Sequence, residues 1–207
     1  MFFVRIFCCA ATLTLFTGCA SQVAKLASDL ESQTSCCSSL AELPFDSLLS
    51  DKEARFQIGS SDKVFEFPSG KSYVKAFELP KDGPFTGFEI RTYLVGSYIP
   101  TAHAFGPFLQ FLDSARIPIE SDVFPQLRYD EGFFEGARWT GVVEVPSVAR
   151  YVVIYTKPEL VKFQRISLAS TSGFITMAGK TPVYVPPSGP RSSAYGPTGE
   201  LRVRLIR

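Results

Sequence analysis

Leu201-Arg202-Val203-Arg204-Leu205-Ile206, close to the C-terminal end of the chain, alternates apolar and charged residues. Successive side chains of an extended strand point to opposite faces, so Leu201, Val203 and Leu205 turn inward and Arg202 and Arg204 outward. Phe88-Glu89-Ile90-Arg91 begins a second stretch with the same alternation. Residues 73–79 place Tyr73, Phe77 and Leu79 on one face, with Lys75 as the single lapse. Residues 108–112, 139–145 and 151–155 follow the same grammar, and Gly, Pro, Asp and Ser separate the runs. Short period-two runs between turn residues predict an all-β fold, a single antiparallel β-sandwich of jelly-roll-like type. Helical periodicity is weak. The helix candidates are residues 38–43 and 158–162, the second with Pro158 suited to a first turn. A body of roughly 170 residues is enough for one well-buried core.

Composition narrows the class. The 207 residues are 45% hydrophobic and 20% charged, which excludes a disordered chain. Lys and Arg number 21 against 20 Asp and Glu, with no basic stripe, so nucleic acid is not an expected partner. The first segment, MFFVRIFCCAATLTLF, has one charge at Arg5 followed by a short apolar run, the pattern of an export signal. It leads into Phe16-Thr17-Gly18-Cys19, which resembles a bacterial lipoprotein lipobox with Phe16 in place of the usual Leu. That resemblance implies a signal peptide over residues 1–18, lipid on Cys19, and Ala20 directing the protein to the periplasmic face of the outer membrane. The alternative is an ordinary signal peptide cut nearby. Loss of Arg5 with the signal leaves basic and acidic residues in balance.

Residues 19–37 are polar and serine-rich. They can hold a short helix over residues 23–30, but their composition favours a lipidated tether reaching roughly 20–27 Å. The folded domain is then residues 38–207. Of the five cysteines, Cys36 and Cys37 remain once the signal and Cys19 are set aside. An oxidising compartment favours a bridge between them. Neighbouring Cα atoms about 3.8 Å apart fall short of the usual disulfide span, so a vicinal bridge would be strained and reducible. Two half-buried structural thiols are the plainer reading, and no CxxC spacing supports an oxidoreductase or a zinc site.

No residue pattern demands catalysis. His103 is the single histidine, and no serine sits in a nucleophile elbow. Asp113, Glu120, Asp122, Asp130, Glu131 and Glu135 fall close together in sequence, but match no calcium-loop spacing and read as solvated acid. Neither an enzyme nor a cofactor is expected. Residues 181–199 form a proline- and glycine-rich segment read as a long loop. Tyr184 and Tyr195 within it are candidate ligand-facing aromatics for a sugar or peptide; a stiff surface crossing is the alternative. The chain has 19 Phe, 8 Tyr and 1 Trp, and phenylalanine has no polar handle, so most aromatics including Trp139 are expected in the core.

The order of segments resembles the maltose-operon periplasmic protein family. The similarity runs through Ser39-Leu40-Ala41-Glu42-Leu43, residues 72–80, residues 104–113, residues 139–146, residues 151–160 and residues 196–205. It covers most of the body without one chemically diagnostic motif. The resemblance implies a periplasmic protein encoded with maltodextrin-uptake genes and carries over no catalytic residues. The functional expectation is a non-catalytic envelope lipoprotein accessory to maltose or maltodextrin transport, meeting the membrane through its lipid and contacting maltodextrin or an envelope transport protein. The alternative is a structural or interaction lipoprotein that binds no sugar.

Overall fold

The computed structural model describes residues 22–48, 52–81, 85–96, 102–120, 122–132, 136–163, 165–167, 174–178, 181–185 and 192–207. The chain opens with helix α1 (Gln22–Glu31) and a single 3-10 turn (Leu40–Glu42). There follow β1 (Asp46–Ser47), β2 (Ala54–Ile58), β3 (Lys63–Phe67), β4 (Gly70–Glu78), β5 (Gly87–Tyr93), β6 (His103–Phe105) and β7 (Phe108–Leu112). Next come β8 (Arg128–Gly132), β9 (Gly136–Glu144), β10 (Tyr151–Tyr155) and helix α2 (Pro158–Phe163). The last strands are β11 (Arg165–Ser167), β12 (Phe174–Ala178), β13 (Thr181–Val185), β14 (Ser192–Gly196) and β15 (Gly199–Ile206). The protein is mostly β, as the period-two runs predict.

Two sheets carry the core. The first, in the order β2-β15-β5-β9-β8, is antiparallel throughout. Its register sets Val203 opposite Ile90 and Leu205 opposite Phe88, so the inward-facing residues of neighbouring strands lie side by side. Leu201, Val203, Phe88 and Ile90 are almost wholly buried. The second sheet runs β1-β4-β10-β7, with β3 also paired to β4. Tyr73 and Phe77 of β4, Val152 and Ile154 of β10 and Leu109 and Phe111 of β7 join the same core cluster as the first sheet's inner face. Lys75, the lapse in the β4 pattern, is held by Asp62 at 2.6 Å, which compensates its charge.

The second sheet is buried on its other face as well. Val74, Ala76, Val153 and Tyr155 pack with Leu43, and Cys37, Leu40 and Phe45 close over them. This explains why Tyr151-Val152-Val153-Ile154-Tyr155 is apolar without alternation: a strand covered on both faces has no wet side. Arg116 pins the covering segment, donating to the Ala41 carbonyl at 2.7 Å with its guanidinium over the Phe45 ring. Fully burying a leucine such as Leu43 contributes about 1.5–3 kcal/mol.

Four expectations are corrected. Two pairings are parallel, β1 with β4 and β14 with β6, because the intervening chain through the other sheet supplies the long crossovers such pairs need. Residues 22–31 form the short helix that the sequence allowed over residues 23–30, not the flexible tether that composition favoured: Val23 and Leu30, seven residues apart, lie on one face and are buried. Lys71 caps the end of this helix, donating to the Glu31 and Gln33 carbonyls, and Cys36 donates to Val64 at 2.8 Å. Residues 38–43 form only the 3-10 turn, whereas α2 begins at Pro158 as expected. Most of residues 181–199 is strand, in β13, β14 and the start of β15.

Candidate functional site

The sequence-predicted residues do not converge. Cys36 and Cys37 are bonded to one another, with Cα atoms 3.8 Å apart, at the outer surface where Cys37 joins the covering segment. Tyr195 is only 6% exposed and packs with Trp139, Ala104 and Leu160, its ring 6.2 Å from Phe124. Burial pushes its hydroxyl up to about 12, and no face is open for stacking on a sugar. Tyr184 lies opposite Ile175 in the β12–β13 pair, where only its backbone is described. Cys19 lies outside the described residues. His103 is buried, its Nε2 3.1 Å from the Thr198 hydroxyl, and Gly196 packs directly on its ring.

Three of the acidic residues, Asp113, Asp122 and Asp130, serve the framework. Asp122 accepts from Tyr155 Oη and from Lys157 Nζ, both at 2.6 Å. Burial raises the Asp122 pKa, but the Lys157 and Tyr155 hydrogen bonds and the Lys157 charge outweigh it and hold the carboxyl below its ordinary value. Burial, then Asp122 itself, push Tyr155 up. Asp113 accepts from the Ala115 and Ile117 N–H groups, and Asp130 pairs with Arg138. Among the described residues, no three His, Cys, Asp or Glu gather as a metal site. The outer face of the first sheet is rich in arginine, yet its charges are matched. Glu89 serves Arg91 and Arg204, Glu53 serves Arg91 and Arg202, and Glu200 serves Arg55.

What remains open is an edge. Strand β8 pairs with β9 only from Gly136 to Thr140, so that, among the described residues, 141–144 have no paired strand on that side. Val145 donates to Thr86 and Leu94 to the Ala137 carbonyl, so the odd-numbered residues of β9 direct their N–H and C=O groups toward β5. Alternation along an antiparallel ladder then turns those of Val142 and Glu144 outward. The Val142 side chain is 54% exposed. Upstream of β8 the chain turns aside, and Pro125 crosses so near that a Cβ on Gly141 would stand 2.7 Å from it. Val123 meanwhile exchanges hydrogen bonds with Leu109 of β7, both at 2.9 Å. The result is a groove between the two sheets, flanked by two adjoining hollows of about 560 and 680 Å³ that share Val142, Glu144 and Pro146. Phe111 and Val123 supply apolar walls, and Glu120 and Glu144 two carboxylates. An unpaired stretch of strand beside a partly apolar hollow can accept an extended peptide as an additional strand.

No protein-family model, no curated protein and no solved structure matches the chain. The open edge was not among the residues singled out from sequence. Its sequence signal is the outward phase of Val142 and Glu144 in residues 139–145.

Proposed function

We propose that the protein is a non-catalytic envelope lipoprotein, anchored through Cys19 at the periplasmic face of the outer membrane, that binds an extended segment of a protein partner along the open edge of β9. The observation that carries this reading is the pair of outward-facing backbone units at Val142 and Glu144 beside a groove that joins apolar walls at Phe111 and Val123 to the carboxylates of Glu120 and Glu144. The acidic groove favours a segment with apolar residues at alternate positions and a basic residue near Glu144. The similarity of segment order to the maltose-operon periplasmic proteins makes a component of maltodextrin uptake the preferred partner. The fold is read here more finely as a jelly-roll-like sandwich, the two five-stranded sheets forming its layers.

The test has two arms. A photo-crosslinker at position 142 of the lipidated protein, in cells taking up maltodextrin, should form one discrete adduct with an envelope transport protein. Position 183, exposed on β13 and lining neither hollow, should form none. Calorimetric titration with maltodextrins should be silent into the millimolar range. Saturable heat with maltodextrins alone would transfer the function to direct sugar binding, and crosslinking that is equal at both positions would remove the edge from the reading.

A further inference from the structure

Independently of the β9 edge, α1 and α2 enclose a cleft of about 300 Å³. Ala24, Ala27 and Ser28, three and four residues apart, form one stripe of α1 whose small side chains leave the space unfilled. Pro158 and Val161 of α2 form the facing wall. The lining is almost wholly hydrocarbon. Thr156 sits in it, 2% exposed, and its hydroxyl has no hydrogen-bond partner although its backbone N–H is bonded to Ser72. Buried hydroxyls are nearly always paired, so an orphan in an apolar cleft points to an occupant that supplies an acceptor or donor there.

The rim sets the sign of the occupant. Lys71 is committed to the two carbonyls that end α1, whereas Lys162 is exposed and pairs with no carboxylate among the described residues. Glu31 stands on the opposite side, so a negative head group is drawn toward Lys162. A peptide is disfavoured, because its backbone amides would find only the Ser28 and Thr156 hydroxyls. An apolar cavity of about 150 Å³ accepts a six-carbon ring, so this volume suits about twelve carbons. We propose that the cleft between α1 and α2 binds one free fatty acid, its chain between the helices and its carboxylate at Lys162.

The test titrates dodecanoate into the full chain carrying Cys19→Ser, with hexanoate and dodecyltrimethylammonium as comparators. Dodecanoate should saturate at one per chain. Hexanoate, six methylenes shorter, should bind at least about a hundredfold more weakly. Lys162→Glu should weaken dodecanoate about fivefold while leaving dodecanol unchanged. Ala27→Trp, which fills the cleft from an incompletely buried position, should abolish binding. Absence of saturation, unchanged binding in Ala27→Trp, or equal binding of the cationic amphiphile would each overturn the proposal. Binding that disappears in the lipidated wild-type chain would assign the cleft to the protein's own lipid and overturn a free ligand.

Discussion

Proline substitution at adjacent positions of β9 separates a backbone group the fold uses from one it does not. Val143 directs its N–H toward β5, opposite Phe88, and its side chain is 7% exposed in the core. Val143→Pro removes that N–H and leaves the facing carbonyl unpaired in a central ladder. The expected loss is about 2–4 kcal/mol. Val142 directs its N–H toward the side where β8 has already ended. Proline is tolerated where the missing N–H faces solvent, so Val142→Pro should cost within about 1 kcal/mol. For a domain of this size each kcal/mol moves the unfolding midpoint about 2–4 °C. Thermal unfolding followed by circular dichroism should therefore show a fall of about 4–16 °C for Val143→Pro and less than about 4 °C for Val142→Pro. With the photo-crosslinker moved to position 144, the folded Val142→Pro variant should also lose its adduct, since the proline cannot donate to an added strand. Equal destabilisation by both substitutions would refute the assigned ladder, and an unchanged crosslink would refute strand addition.

Asp122→Asn replaces the carboxylate shared by Tyr155 and Lys157 and should cost about 1–3 kcal/mol at pH 7 in urea unfolding. Because the folded carboxyl is held below the ordinary value of 3.8, its contribution is fully present above that pH. It fades as pH falls through the lowered folded value, so the gap between wild type and variant should close in that acidic range; a constant gap would contradict the assignment. Gly196→Ala places a Cβ against the His103 ring, in a site with no slack, and should destabilise by about 1–3 kcal/mol on the same denaturant assay. Thr156→Val removes the orphan hydroxyl and should stabilise the unliganded protein by about 1 kcal/mol; a loss of stability would mean the hydroxyl is satisfied after all.

How much of this was legible in advance depended on range. Period two over residues 88–94 and 201–206 placed β5 and β15 and their inward faces, because one wet and one dry face imprint alternation on the sequence. Trp139 was correctly expected in the core. Helix α1 was less legible, since only Val23 and Leu30 are fully buried and the polar residues around them resemble a tether. Tyr195 read as a loop aromatic because Gly and Pro flank it, yet it pairs in β14 beside β6, a partner some ninety residues away in the chain.

Sequence alone therefore determined the strand-rich class and the inward-facing residues of the alternating strands. These follow from local spacing. Tertiary structure decided which strands neighbour one another, that β10 is covered on both faces, that Tyr195 is enclosed and that β9 outruns β8. An open edge is the absence of a partner, and the small residues of α1 become a cleft only when α2 stands opposite. Both arise from pairing between segments remote in the chain, which no local pattern records.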